Sequence, residues 1–505
     1  MTHVLIVGGG VSGLVAAYRL RRLLGPAARL TVLEQSDRLG GKLRTLDLDG
    51  VPTDVGAEAF VLRDPAAADL AAELGLAVVH PERAAATIHA GGTTVALPRR
   101  TFLGVPAGAD AVRDVLSAEG AERVAAEASL PPLRLAPDED ASVGGLLTER
   151  MGREVVDHLV EPLLAGVYAG RADLLGLRAT MPALVKALDE TGSLTAAADS
   201  LLPAPSAGPA KPVFAALPGG MRVLVAELAR RSGAEIRLGT TVRRLERREG
   251  HGQDPGSGRG SAADGRAGLP RDGQPQDIGS GGRAGAGRLP DGGPGGWRVE
   301  VGPVPRPEFL DADAVVLAVP APAARKLLDG IAPEAANAYG RVQVGSMAVV
   351  SMVLPDVALP EASGVLLAVG ERHRDGTPFT AKAFTFTSRK WGGERTRLRA
   401  SVGRVGEEQA LQRDEDALLA DVLADLAELS GVEAEPVAWT VTKWGGGLPQ
   451  YGVGHAAVVA EIERAVERVP GLAVAGAVFR GVGIPACVRT ATAAAERLAA
   501  RLMAV

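Results

Sequence analysis

The chain has 505 residues, of which 46% are hydrophobic and 23% charged, a composition typical of a soluble globular protein with two or three domains. Its formal net charge of −5 provides no basic field for nucleic acid, and its single cysteine excludes an internal disulfide. No uninterrupted apolar run approaches the ~18–20 residues of a transmembrane helix, so we expect a cytoplasmic protein without a membrane span, which leaves a peripheral membrane contact open.

The first predicted elements form a dinucleotide-binding unit. The apolar run from His3 to Val7 predicts a buried parallel strand, and GGGVSG then places Gly8, Gly10 and Gly13 in the spacing G-x-G-x-x-G. A helix, LVAAYRLRRLL, and a second strand, RLTVLE, follow. Such glycines allow a tight turn, approach to a pyrophosphate and close helix packing, while an acid ending the second strand, here Glu34, binds a ribose. The glycines and the lack of a basic segment also argue against a signal peptide.

A break in composition separates two later predicted strands, TTVRRLER and WRVEVG. The intervening stretch, 250–296, consists mainly of Gly, Ala, Arg, Pro and Asp, and GRAGLPRDG recurs within it as GRAGAGRLPDG. Because it cannot bury enough apolar surface, we predict a disordered insert without function. The strands on either side are expected to pair, since the entropy of closing a loop grows slowly with its length.

The last predicted element is a helix, CVRTATAAAERLAARLM, which Pro485 is well placed to open. Before it, Gly481 and Gly483 allow the main chain to lie against a cofactor, and the helix N-terminus favours negative charge there. The only cysteine, Cys487, falls on the first turn. We interpret it as a small core residue rather than a redox thiol or a covalent attachment point.

Five further segments carry motifs: AALPGGMRVLVAELARR (215–231), EPLLAGVYAGRADLLGLRATMP (161–182), KAFTFTSRKWGGE (382–394), KWGGGLPQYGVGH (443–455) and GAVFRGVGIPACV (476–488). Together with the glycine turn they resemble the FAD-containing amine oxidase superfamily, and within it the flavin-dependent coproporphyrinogen III and protoporphyrinogen oxidases of Gram-positive bacteria. The resemblance spans nearly the whole chain outside the insert, and GVYAG and PQYxVGH are its most specific parts. Ala486, Arg480 and Gly176 depart from the usual pattern.

The resemblance implies an α/β fold with a Rossmann-type FAD-binding domain, a mixed-sheet substrate domain and a helical lobe. The expected FAD-binding domain is discontinuous and comprises 1–80, 212–320 and 440–505. The substrate domain would comprise 81–106 and 321–439, with TTVALP, SMAVVSMVLP, GVLLAV and AKAFTFTS in its sheet. The helical lobe would span 107–211.

The resemblance also implies a non-covalently bound FAD and no metal site. The seven histidines are dispersed, and we interpret His455 as structural. The residues expected to bind FAD are Gly8, Gly9, Gly10, Val11, Ser12, Gly13, Glu34, Gln35, Gly41, Lys42, Gly56, Ala57, Glu58, Ala59, Val242, Trp444, Gly476, Val482, Gly483 and Ile484.

The implied reaction is the six-electron oxidation of coproporphyrinogen III to coproporphyrin III in heme biosynthesis. It comprises three hydride transfers to the flavin N5, with no catalytic side chain, and oxygen as acceptor gives hydrogen peroxide. Gly166 and Tyr168 are expected near the substrate, and Arg63 is a candidate partner for a propionate; Lys382 and Arg389 are weaker ones. Transfer of the product to a ferrochelatase is a further expectation.

Three alternative functions stay open from the sequence. The first is oxidation of protoporphyrinogen IX, which carries two propionates where coproporphyrinogen carries four. The second is a flavin amine oxidase, although the chain is only 3% aromatic and offers no evident aromatic pair to flank the flavin. The third is a flavin-binding scaffold or porphyrin carrier without turnover.

Overall fold

The computed structural model of the protein describes residues 1–82, 85–204, 212–248 and 296–504. The predicted insert, 250–296, lies outside the described residues except for Gly296. In chain order the strands are β1 His3–Val7, β2 Arg29–Leu33, β3 Thr45–Leu48, β4 Val51–Asp54, β5 Phe60–Val61, β6 Thr87–Ala90, β7 Thr93–Ala96, β8 Thr101–Phe102, β9 Val105–Pro106, β10 Phe214–Ala215, β11 Glu235–Arg237, β12 Val242–Arg247, β13 Trp297–Val301, β14 Glu308–Ala312, β15 Ala314–Leu317, β16 Val344–Leu354, β17 Gly364–Leu367, β18 Ala381–Thr385, β19 Thr396–Val402, β20 Ala438–Pro449 and β21 Leu472–Val474.

Helices precede, follow or cover these strands. None of the helices in the described ranges combines the length and apolar character that a bilayer span requires. They are α1 Val11–Leu24, α2 Ala66–Glu73, α3 Ala118–Ala126, α4 Val143–Met151, α5 Arg153–Val155, α6 Glu161–Tyr168, α7 Leu177–Thr180, α8 Pro182–Thr191, α9 Leu194–Ser200, α10 Arg222–Ser232, α11 Ala321–Leu328, α12 Pro333–Gly340, α13 Thr387–Trp391, α14 Glu415–Ser430, α15 His455–Glu467 and α16 Ile484–Met503.

A five-stranded parallel sheet has the order β11-β2-β1-β15-β21. Its central strand β1 is apolar on both faces because helices cover both. Val4 and Ile6 pack into a core with residues of α1, α10 and α16, whereas Leu5 and Val7 pack with α11, α12 and α15. The prediction of a strand–glycine turn–helix–strand unit at the N-terminus is confirmed, and its turn lies at the carboxyl edge of this sheet.

A seven-stranded mixed sheet has the order β20-β16-β19-β18-β17-β6-β7, in which only β17 and β6 pair in parallel. It contains all four strands that we expected from the sequence. One face packs on α14, through residues such as Val350 and Leu418. Strand β20, an edge strand of this sheet, extends on both sides of residue 440, where we expected a domain boundary. The domain bounds stay a prediction.

The helices α3 to α9 surround a separate apolar core. Within them a π-helical stretch, Val156–Val160, joins α5 to α6. Helix α6 ends at the GVYAG segment, where Ala169 has a left-handed backbone with φ of 49°. This conformation is rare for a residue with a side chain.

A three-stranded sheet, β12-β13-β14, contains the strands on either side of the insert. Strands β12 and β13 pair antiparallel, with Arg247 opposite Trp297, as the sequence predicted. The last described contact before the gap is the hydrogen bond from the Arg248 amide to the Gly296 carbonyl, 2.8 Å. The two ends of the insert therefore lie side by side.

Candidate active site

The glycine turn between β1 and α1 is held by the end of β2. The Glu34 carboxylate accepts a hydrogen bond from the Gly9 amide through Oε2, at 2.7 Å, and bonds from the Ser36 amide and hydroxyl through Oε1. Gly8 has φ of +104°, which favours glycine, and a Cβ on Gly13 would lie 1.9 Å from the Gly8 carbonyl oxygen. The turn therefore requires glycine at both positions.

One glycine of this turn faces open space. A Cβ on Gly10 would meet no atom closer than the Gly41 Cα, at 3.9 Å, although Gly10 immediately precedes the N-terminus of α1. No side chain caps that helix end. An exposed backbone amide edge at a helix N-terminus, with room beside it, fits the pyrophosphate of a dinucleotide. The residues present therefore fit the expected FAD.

A second group of predicted cofactor residues meets beyond the turn. A Cβ on Gly56 would lie 2.1 Å from the Lys42 carbonyl oxygen and 3.1 Å from the Trp444 ring. The Trp444 indole donates to the Val55 carbonyl at 3.1 Å, and the Ala57 amide donates to the Lys42 carbonyl at 3.1 Å. These contacts bring β20 of the mixed sheet onto the segment after β4, next to the glycine turn.

The N-terminus of α16 approaches the same place. Gly483 precedes the helix and Pro485 occupies its first turn, which confirms the predicted helix start. Burial raises the pKa of the Cys487 thiol, while the nearby Ser12 and Lys42 side chains act in the opposite direction. Burial also lowers the pKa of the Lys42 ammonium. Cys487 is thus a buried, protonated thiol packed against the start of α1.

The loop before α16 is fastened by the PQYGVGH segment. The Tyr451 hydroxyl donates to the Ala477 carbonyl at 2.5 Å and accepts from the Gly481 amide at 2.8 Å. The Tyr451 ring stacks on His455, with 4.1 Å between ring centres, and His455 Nε2 lies 2.7 Å from the Val478 carbonyl oxygen. Burial lowers the pKa of His455, so its neutral ring donates this bond. This geometry supports the structural interpretation of His455.

The residue before Tyr451 fastens the GVYAG turn. Gln450 Nε2 donates to the Tyr168 carbonyl at 2.8 Å. A Cβ on Gly170 would lie 2.3 Å from the Gln450 side-chain oxygen, so the close contact requires glycine there. We call this connection, formed by Gln450 and Tyr451, the Gln-Tyr brace. It joins the end of α6 to the loop before α16.

Glu58, expected from the resemblance to contact the cofactor, belongs to a buried ion-pair cluster; the cofactor contact stays a prediction. Its carboxylate is buried and pairs with Lys390 at 2.7 Å and Arg399 at 3.3 Å. Burial alone would raise the pKa of Glu58, but Arg399 and Lys390 together lower it to about 2. Arg399 also donates to the Gly56 carbonyl at 2.8 Å. This ion-pair cluster fixes the backbone of the segment that meets Trp444.

The predicted substrate residues lie around the end of α6. Tyr168 is buried, and burial raises its pKa to about 12, while the charge of the exposed Arg63 acts in the opposite direction. Gly166 lies on the exposed side of α6. Arg389, in contrast, donates to the Leu359 carbonyl at 2.9 Å and lies 3.5 Å from the Glu361 carboxylate.

Some predicted cofactor residues contribute little to this geometry. The Gln35 side chain is exposed and makes no hydrogen bond within the described part of the chain. Val242 is linked to the turn only indirectly, since the Thr240 amide donates to the Glu34 carbonyl at 2.8 Å. Conversely, no role for Gln450, Tyr451 or Arg399 was predicted from the sequence. PQY was noted as a motif, whereas nothing in RLRAS signalled Arg399.

Comparisons with known proteins place this geometry among flavoproteins. The family described as flavin containing amine oxidoreductase matches residues 11–265 and 293–499, so the unmatched gap falls inside the predicted insert. The chain is 39% identical to a coproporphyrinogen III oxidase of Mycobacterium leprae over 507 residues, 98% of each chain. It is 28% identical to a coproporphyrinogen III oxidase of Bacillus subtilis, over 97% of each.

A solved structure resembles the fold over the whole chain. A protein of Exiguobacterium sp. 255-15, provisionally named protoporphyrinogen oxidase, superposes with a TM-score of 0.78. It is 28% identical and the match covers 99% of both chains. The expected combination of a Rossmann-type domain, a mixed sheet and a helical lobe is therefore confirmed.

Proposed function

Because this chain belongs to the flavin-containing amine oxidoreductase family, we propose that it is an FAD-dependent oxidase that converts coproporphyrinogen III to coproporphyrin III. The full-length similarity to relatives of that name carries the choice of substrate. In the proposed reaction the porphyrinogen loses six hydrogens and three molecules of oxygen become three of hydrogen peroxide. Bound FAD would supply the two-electron acceptor for each of the three oxidations.

The residues proposed to hold the cofactor act mainly through their backbone. The amides that begin α1 and α16 face the regions where negative charge is expected, at the pyrophosphate and at the flavin. Glu34 is already satisfied by Gly9 and Ser36 but retains acceptor capacity for a ribose hydroxyl. No covalent attachment is proposed, because Cys487 is buried and protonated.

The proposed substrate surface is the face of the mixed sheet opposite α14. Trp444 lies on this face beside Gly56, and Arg399 reaches the same segment from β19. The end of α6, with Tyr168, is fastened to this arrangement by the Gln-Tyr brace. These side chains orient a large apolar ring and exclude water around it, while the pyrrole protons leave to solvent or a nearby group.

The main alternative is oxidation of protoporphyrinogen IX, favoured by the name of the Exiguobacterium protein. The two substrates differ in charge, since coproporphyrinogen has four propionates and protoporphyrinogen two. A cytoplasmic location and transfer of the product to a ferrochelatase belong to the proposal as expectations; the single cysteine agrees with a reducing compartment.

Oxygen uptake with each porphyrinogen in turn tests the proposal. We expect a yellow protein whose flavin bleaches anaerobically with coproporphyrinogen III and which has the higher kcat/KM for that substrate. A higher kcat/KM for protoporphyrinogen IX would overturn the substrate choice. A flavin that neither porphyrinogen bleaches would favour a binding protein without turnover.

A further inference from the structure

Two buried cations next to the GVYAG turn lack a carboxylate partner. Lys382 is 5% exposed and Arg404 is 6% exposed. Lys382 Nζ donates to the Gly403 carbonyl at 2.7 Å. Within the described ranges, neither side chain has a carboxylate within 4.0 Å, and the buried Arg404 Nε has no hydrogen-bond partner. Burying charge without a directly paired carboxylate is unfavourable, so an anion bound here would stabilise both cations.

The carboxylates around these cations are already engaged. Glu161 of α6 is buried and accepts a hydrogen bond from the Ala172 amide. Glu407 pairs with Arg171 at 3.4 Å on the exposed side. Burial lowers the pKa of Lys382 to about 7 and the adjacent Arg404 acts in the same direction, whereas the more distant Glu407 and Glu161 act against them without pairing with either cation.

Local backbone structure brings the two cations together, since Lys382 bonds the carbonyl of the residue before Arg404. Strand β18 has an irregularity in its pairing with β19 between Ala381 and Ala383, where Lys382 is the extra residue. Such bulges redirect a side chain and are frequent next to active sites. On the other strand, the Val405 amide, next to Arg404, donates to the Ala169 carbonyl at 2.9 Å. Arg404 is thereby tied to the turn that carries Tyr168.

We propose that Lys382 and Arg404 form a carboxylate-binding site that anchors one propionate of the porphyrin substrate. A guanidinium binds a carboxylate through two parallel hydrogen bonds, and a neighbouring ammonium adds charge. The site rests on the proposed function, because the ligand is a carboxylate of that substrate. Lys382 was a weak candidate from the sequence alone, and Arg404 was not a candidate.

The test measures equilibrium binding of the product, coproporphyrin III, by the shift of its Soret absorbance in the FAD-loaded protein. The uncharged tetramethyl ester of coproporphyrin III is the second ligand. We expect Arg404→Gln and Lys382→Met each to weaken binding of the acid at least tenfold and to leave binding of the ester within about twofold. Arg404→Lys, which keeps the charge, is expected to restore part of the loss. Arg374→Gln is the matched control, because that side chain is 90% exposed.

Equal binding of the acid by wild type and by flavin-loaded Arg404→Gln would overturn the proposal, as would equal losses for acid and ester. If Arg404→Gln does not retain FAD, the same comparison with Lys382→Met decides the question. If the wild type oxidises coproporphyrinogen but Arg404→Gln and Lys382→Met bind coproporphyrin III as tightly as wild type, the propionate site is wrong and the proposed function stands. Wild-type protein that does not bind or oxidise a porphyrinogen would defeat the proposed function instead.

Discussion

Replacing Glu58 with glutamine removes the negative charge from the buried cluster with Lys390 and Arg399. The pKa of Glu58 is lowered from 4.5 to about 2 in the folded protein. A pKa unit corresponds to about 1.4 kcal/mol, so the ionised carboxylate contributes about 3 kcal/mol to the free energy of unfolding. Removing one partner of a buried pair also leaves the other charges uncompensated, which typically costs about 3–5 kcal/mol.

The sign of the pH dependence follows from the lowered pKa. The stabilisation is fully present above the ordinary pKa of 4.5 and is lost as the pH falls towards 2, reaching roughly half its value near pH 3. Wild type and Glu58→Gln should therefore differ most at neutral pH and converge in acid. Since Arg399 also holds the Gly56 carbonyl, the flavin should dissociate before the rest of the variant unfolds.

The assay is the release of flavin fluorescence during urea titration, performed from pH 7 down to pH 3. Glu227→Gln is the control: hydrogen bonds from Arg230 and Arg231 lower the pKa of Glu227 to about 2 as well, but this pair is closer to solvent, with Glu227 18% and Arg230 68% exposed. Exposed pairs contribute little, so its curve should overlie that of wild type. Release of flavin from Glu58→Gln at the wild-type urea concentration at pH 7 would contradict a stabilising role for the Glu58 carboxylate.

Three further predictions concern the brace, the substrate and the insert. Tyr451→Phe leaves the Gly481 amide without its hydrogen-bond partner, at a cost of about 1–3 kcal/mol, so the Kd for FAD should rise tenfold or more. The control is Tyr339→Phe, which should leave the Kd for FAD unchanged because the Tyr339 hydroxyl makes no hydrogen bond in the described ranges. Equal Kd values for the two variants would contradict the brace. Arg63→Ala should raise the KM for coproporphyrinogen more than the KM for protoporphyrinogen, with flavin content unchanged. An unchanged KM for both substrates would show that Arg63 does not bind a propionate. Replacing 250–294 with a two-residue turn should preserve flavin content and turnover, because the flanking strands already pair; a loss of activity beyond about tenfold would reveal a role for the segment.

The parts of the site that the sequence predicted well are those set by local backbone geometry. The spacing of Gly8, Gly10 and Gly13 before a helix leaves few conformations open, and Glu34 follows at the end of the next strand. Pro485 likewise marks the start of α16, since proline suits the first turn of a helix.

The parts that it missed depend on contacts between distant segments. Glu58 and Lys390 are 332 residues apart, and no local pattern signals that they pair. The partners of the Tyr451 hydroxyl are backbone groups 26 and 30 residues later, which any sequence could supply. Arg404 was not predicted because an arginine after a strand is usually exposed, whereas tertiary packing leaves this one only 6% exposed.

The Gln-Tyr brace places consecutive side chains on two different partners, the GVYAG turn and the loop before α16. A ligand that orders the turn therefore also orders the loop, and the two occupancies become thermodynamically coupled. Such coupling is reciprocal: if a bound porphyrin tightens FAD by some factor, FAD must tighten the porphyrin by the same factor. The coupling between FAD binding and porphyrin binding thus depends on two neighbouring residues, Gln450 and Tyr451.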